Sequence, residues 1–226
     1  MANVPGAGPG QASPEFAQPR RRSLIANPVP VGVAGFALTT FTLGLYTTGQ
    51  FHPEGEVVVL ALAVFYGGLV QLIAGFFALA KGELFAASFM TSYGAFWLSY
   101  VALILFVVPS AGPGTHQAVT IFLIMWTVIT IIFTLATLGT NATVLVTFIV
   151  FVVALLLEVI GNAMLTGAEV ANSVTKAGGY AELVLATLAW YIVMAEIVND
   201  VLGRTVFPLF PFRRDEPAAA PPERQM

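Results

Sequence analysis

The stretch Asn27-Pro28-Val29-Pro30-Val31-Gly32 turns a polar tail into the first long apolar run, and it sets the reading of the chain on either side. Asn27 is a good N-cap residue, and Pro28 falls at the first helical position, where proline's missing N–H costs nothing. A helix is therefore expected to start here. The free backbone N–H groups and partial positive charge of such a start suit a carboxylate or phosphate oxygen. Taken alone, the motif is explained more simply as the cap of a membrane helix.

Upstream, residues 1–26 are rich in Pro, Gly and Gln, end in Arg20-Arg21-Arg22 and could build no core, so they read as a disordered tail. They lack the apolar segment and cleavage site of a signal peptide, which keeps the first apolar run in the mature protein. Downstream the composition decides the class. The 226 residues are 58% hydrophobic and only 9% charged, with a mean hydropathy of +0.87. That leaves too little polar surface to coat a soluble domain, and the chain reads as an all-α polytopic membrane protein. A net charge of −3 with nine scattered basic residues gives nucleic acid no footprint. With no cysteine, disulfides, Fe–S clusters and thiolate metal sites are excluded.

A membrane span needs about 20 mostly apolar residues. Six stretches meet that length, at 28–49, 57–80, 84–108, 117–138, 141–165 and 180–202, with the longest connection at 168–179. The expected layout is thus a cytoplasmic tail (1–26), a six-helix membrane domain (27–208) and a C-terminal cytoplasmic tail (209–226). Six spans put both tails on one side. Arg20, Arg21, Arg22, Lys81, Arg204, Arg213, Arg214 and Arg224 lie on that side and only Lys176 on the other. Basic residues gather on the cytoplasmic side, so both termini are expected there and the protein in the cell membrane.

Within the first five spans there is no Lys or Arg, and the only acidic residue is Glu158. Neutral polar groups recur at helical spacing instead. Gly32, Gly35, Thr39, Thr42 and Tyr46 share a face of the first span, with Phe36 and Thr40 beside it. Gly67, Gly68, Gln71 and Gly75 form a stripe on the second. The third carries Ser88, Thr91, Ser92, Tyr93 and Gly94, then Trp97, Ser99 and Tyr100. Close helix packing accounts for small residues at such spacing, but an amide in hydrocarbon needs partners, and Gln71 points to water or a ligand. Three such stripes on consecutive helices read as a narrow pore.

Glu158 and Asn162 share a face of span five, and intramembrane carboxylates mark ion or proton pathways. Glu196, Asn199, Asp200 and Arg204 read as a clamp at the edge of span six, with Asp200 and Arg204 at a favourable four-residue spacing. No metal or cofactor site and no catalytic motif such as HExxH, GxSxG or a Walker loop is present, so the chain does not read as an enzyme.

Asn27 to Val33, Phe65-Tyr66-Gly67-Gly68 with Gln71 and Ala74-Gly75, and Gly82 to Phe85 stand in the order found in a known family. Ser92-Tyr93-Gly94-Ala95-Phe96-Trp97-Leu98, Gly161-Asn162, Glu196, Asn199, Gly203-Arg204-Thr205-Val206 and Pro208 continue the pattern. From Asn27 to Pro208 the chain resembles the acetate uptake transporters. The resemblance implies a six-helix protomer with its own pore, assembled as a homohexamer. Its cargo would be acetate and related short monocarboxylates, and in some members succinate, by proton-coupled or channel-like transport. It also implies a hydrophobic constriction from Phe36, Tyr93 and Phe151, the last standing where a leucine is typical. Glu158 departs from the family pattern too, since an apolar residue is usual there.

A carboxylate at mid-bilayer costs from a few to more than 10 kcal/mol, and near neutral pH only about one acetic acid molecule in a thousand is uncharged. Thr39, Thr40, Gln71, Ser92 and Tyr93 are the groups expected to replace hydration along the path, with the Asn27-Pro28 helix start favouring the anion at the cytoplasmic mouth. Tyr66, Trp97 and Asn162 complete the expected pore set, and Glu158 and Glu196 are the expected proton-linked carboxyls. Neutral stripes with aromatic gates also suit urea or ammonia, and a non-transporting adaptor or sensor is the third reading.

Overall fold

The computed structural model describes residues 25–167, 169 and 171–212, and they are almost entirely helical. The first helix, α1, spans Val29–Thr47. A 3-10 turn at Pro53–Glu56 leads into α2 (Val57–Val64), a π-helical turn (Phe65–Val70) and α3 (Gln71–Ala80), which run on as one rod. Next, α4 (Leu84–Ala102) continues through a second π-helical turn (Leu103–Val107) into α5 (Val108–Ala111). The 3-10 turn Gly112–Gly114 separates this from α6 (Thr115–Thr137), and α7 (Ala142–Ala163) and α8 (Ser173–Leu202) close the fold.

Five continuous helical segments are long and apolar enough to cross a membrane, one of them the 54-residue run Leu84–Thr137. The chain is an all-helical multi-pass membrane protein. Laid straight, the long run would measure about 80 Å, far more than the ~30 Å hydrocarbon core. Instead it doubles back at Gly112, whose φ of +52° suits glycine. Rings then pair in antiparallel register, Phe96 with Phe122, Tyr93 with Trp126 and Phe89 with Phe133.

Small residues set the helix spacing. A Cβ on Gly75 would lie 2.7 Å from the Thr91 backbone nitrogen, and one on Gly94 equally close to that of Leu72, so α3 and α4 touch backbone to backbone. A Cβ on Gly35 would sit 2.4 Å from the Tyr66 carbonyl oxygen, where the π-turn bulges toward α1. The glycines of the polar stripes thus serve packing. Around them α1 packs on α8, α8 on α7 and α7 on α6.

Several boundaries differ from expectation. α1 begins at Val29, one residue late, so Pro28 and not Asn27 is the N-cap residue; Asn27 stands just before it and accepts from the Val29 N–H at 3.1 Å. α8 starts at Ser173, so most of the connection placed at 168–179 is helix. The reason is a capping box: Asn172 accepts from the Thr175 N–H while Thr175 accepts from the Asn172 N–H. Lys176, Gly178 and Gly179 look like breakers and hide that start. α8 ends at Leu202 with Gly203 at φ +62°, so Arg204 leaves the helix and the expected Asp200–Arg204 pair does not form. Among the described residues the ion pair is Lys81–Glu83, at 2.8 Å. Asn199 does clamp, holding Phe207 through its carbonyl and N–H and Val206 through its N–H.

Residues 209–212, assigned from sequence to the C-terminal tail, return to the head of α7: Leu209 and Phe210 carbonyls accept from Thr143 and Ala142 N–H groups. Asn27 donates to Glu196 at 2.8 Å. Both ends of the described chain therefore share one face, the termini face, with Lys81–Glu83 and Asn141. The loop face opposite carries residues 49–56, 112–116 and 164–172. Residues 1–24 and 213–226, the bulk of the expected tails, lie outside the described residues.

Candidate functional site

Three rings meet at the centre of the bundle. Phe36 of α1, Tyr93 of α4 and Phe151 of α7 have pairwise centroid separations of 5.7, 5.1 and 4.8 Å. All three are buried. Edge-on and tilted contacts of this kind are favourable, and Phe89 packs against both Phe36 and Tyr93 from the termini side. Thr130 donates to the Trp126 carbonyl at 2.6 Å, so the Tyr93 hydroxyl bonded to Thr130 is the donor of that pair. The Tyr93 hydroxyl is therefore used inside the bundle and its side chain lines neither of the two cavities beside the rings, whereas the sequence places it as a donor along the path.

A cavity opens on each side of the rings. The larger, about 580 Å³, runs to the loop face and is lined by Thr40, Trp97, Glu158 and Asn162 among others. The smaller, about 180 Å³, runs to the termini face past Phe85, Phe148, Asn141 and Glu196. Phe36 and Phe151 line both. The arrangement is two vestibules back to back, separated by an aromatic layer one side chain thick.

Residues 9–214 match the sequence profile of the GPR1/FUN34/yaaH family. The chain belongs to that family. It is 34% identical over 188 residues to the succinate-acetate/proton symporter SatP of Escherichia coli, covering 82% of this chain and 95% of that one. It is 32% identical over 202 residues to acetate permease A of Emericella nidulans, covering 83% of this chain and 66% of that protein. Its fold superposes on the solved structure of the bacterial acetate channel SatP with a TM-score of 0.73, at 33% identity, covering 81% of this chain and 98% of that one. The GPR1/FUN34/yaaH proteins are transporters and channels, so this member is not an enzyme.

On the GPR1/FUN34/yaaH fold the expected pore residues separate into groups. Thr40, Trp97 and Asn162 line the large vestibule. The Thr40 Oγ1 and Trp97 Nε1 atoms are buried without a hydrogen-bond partner, whereas Asn162 donates to the Glu158 carbonyl at 3.2 Å. Thr39 is buried but turns to the π-turn Phe65–Val70: it donates to the Gly35 carbonyl at 2.8 Å and packs on Gly67. Its expected place along the path passes to Thr40. Tyr66 and Ser92 are half-buried and lie outside the linings of the two vestibules.

Gln71 is fully buried, and both atoms of its amide lack a partner. One turn before it, Gly67 abuts Thr39 and Trp97; three residues after it, Ala74 abuts the Gly32 position. The amide is thus at the height of Phe36 along α1 but outside the linings of both vestibules. Asn27 is exposed beside the small vestibule, bonded to Glu196, while Pro28 is buried under it. Glu158 lines the large vestibule and Glu196 the small one.

Three carboxyls of the large vestibule, those of Glu56, Glu169 and Glu182, escaped the sequence reading. Glu56 ends the 3-10 turn before α2 and accepts from Tyr100 at 3.4 Å, and Glu182 sits on α8. A signal for Glu182 existed, since an acid in an otherwise apolar helix is costly in hydrocarbon.

Proposed function

We propose that this protein is a cell-membrane permease for acetate and other short monocarboxylates, with succinate as a larger and poorer cargo. The observation that carries the reading is the pair of vestibules divided by the Phe36–Tyr93–Phe151 layer. An acid of a few atoms fits either vestibule, and only a gap between three side chains must open for it to pass. Thr40 and Trp97 supply hydroxyl and indole groups without a partner on the wall of the large vestibule, beside the layer where a carboxyl group loses its water, and Gln71 supplies an unpartnered amide outside both linings. An unpaired buried polar group costs about 1–3 kcal/mol, a penalty that a carboxyl oxygen or a transient water removes.

The same reading places six spans in each protomer, counting the hairpin Leu84–Thr137 as two, and takes the protomers as a homohexamer. Both termini are cytoplasmic by the balance of basic residues, which puts the large vestibule on the outside and residues 27–208 in the membrane. Protein-dependent uptake of labelled acetate into liposomes, competed by acetate but not by urea, is the expected result. Absence of such uptake would return the chain to the adaptor reading. Phe151→Leu should widen the layer and raise succinate uptake relative to acetate; an unchanged ratio would remove Phe151 from selectivity.

A further inference from the structure

The large vestibule contains more carboxyl groups than a route for an anion can tolerate if all were ionised. Glu158 of α7 and Glu182 of α8 both line it, and Glu158 Oε1 and Glu182 Oε2 are buried without a hydrogen-bond partner. They meet at the α7–α8 seam. A Cβ on Gly178 would fall 2.1 Å from Glu158 Oε1, and Gly178 stands one helical turn before Glu182 on the same face. Glu56 lines the same vestibule as these two carboxyls. Glu182 also rests on α1, where a Cβ on Gly44 would lie 3.0 Å from its Cβ.

The other titratable and charged groups facing this space are few. Tyr46 of α1, Glu56 and Tyr100 share the vestibule, with His116 of α6, Glu169 and Lys176 toward its mouth. None of these gives the pair a cation, since the ion pair of the described residues is Lys81–Glu83 at the opposite face. Two negative charges in this half-buried space, with no cation paired to either, repel each other, and a proton on one carboxyl removes the repulsion.

A second observation indicates what meets that proton. The Thr40 hydroxyl and Trp97 indole N–H line the same vestibule, on residues only 4% and 2% exposed, and both lack an acceptor. Thr40 is one turn from Gly44 and one turn from Phe36, so the two donors lie between the carboxyl pair and the rings. They are placed to hold a carboxylate oxygen.

Building on the permease reading, we propose that Glu158 and Glu182 form a proton-loading pair that protonates the entering carboxylate while Thr40 and Trp97 hold it. The O–H bond of the protonated glutamic acid breaks, its electron pair stays on the glutamate, and a new O–H bond forms on the substrate carboxylate. The substrate then crosses the aromatic layer as the neutral acid. A hydronium ion from the outer solution, relayed through water in the vestibule, returns the proton to the glutamate and leaves water behind, so each anion enters with one proton.

The test uses the full chain in liposomes, with initial uptake of labelled acetate and the internal pH both followed as external pH is varied, and protein-free liposomes subtracted. The variants are E158Q, E182Q, the double variant and E182D, each checked for wild-type elution on size exclusion. Wild type should gain acetate uptake toward acid by roughly tenfold per pH unit until the pair is saturated, with one proton entering per acetate. The double glutamine variant should lose most of that slope, and E182D should keep it. An unchanged slope and unchanged proton entry in the double variant would overturn the pair and leave acetate transport standing. Wild type without protein-dependent uptake would overturn the transport reading and the pair together.

Discussion

Gln71 puts an amide where the fold offers it no partner and outside the linings of both vestibules. Its isolation among glycines and aliphatic residues marks it as a group in need of a partner, and the fold buries it with both amide atoms unpaired. Alanine at this position removes a polar group that the protein itself does not satisfy, so the folded state should lose little stability, within about 1 kcal/mol. Acetate uptake should nevertheless fall, by roughly tenfold if the amide contributes one hydrogen bond of about 1.4 kcal/mol at the layer. Normal uptake by a well-folded Gln71→Ala would assign the residue to packing. Thr39 and Tyr93 show the limit of reading polarity from spacing. Both lie on the expected helices and both are buried, but each hydroxyl is bonded away from the vestibules, to Gly35 and Thr130. A sequence shows which side chain is polar, and only the surrounding helices show whether that polarity is already satisfied.

The apolar runs made the helices legible, because hydrocarbon requires every backbone group to be bonded within the segment. What they concealed are the local departures from regular helix. The π-turn Phe65–Val70 carries no periodic signal, although its Gly67-Gly68 pair is the point where the rod can widen. Gly178 and Gly179 hide the start of α8, whereas Glu182 falls inside the expected sixth span and is passed over there for the acids at its far end. Their roles become clear only when the neighbouring helix is present: Gly178 seats the Glu158 carboxyl, and Gly179 accepts the end of α1. Gly35 tests the same logic on the other side of the bundle. A methyl group there would lie 2.4 Å from the Tyr66 carbonyl oxygen, and this is backbone held in the π-turn, which cannot rotate aside as a side chain could. Gly35→Ala should therefore cost about 1–3 kcal/mol, read as a fall of several degrees in the thermal midpoint of the purified protein. An unchanged midpoint would show that α1 and the π-turn are free to separate.

The whole molecule has unlike faces. The termini face brings together Asn27, Glu196, Lys81, Glu83 and the returning segment 209–212, tied by hydrogen bonds into a small, narrow vestibule. The loop face opens the wide vestibule with its buried carboxyls. Which face meets the cytoplasm decides the direction in which the proposed proton-loading pair works, and the proposed orientation, drawn from the distribution of Lys and Arg, has the termini face inside. The chain contains no cysteine, so single cysteines report orientation without background. Arg204 and Lys176 are both exposed, on opposite faces. A membrane-impermeant maleimide should label Lys176→Cys in intact cells and label Arg204→Cys only after permeabilisation. The opposite pattern would turn the molecule over, place Glu158 and Glu182 on the cytoplasmic side of the rings, and make the pair a proton source for export instead of uptake.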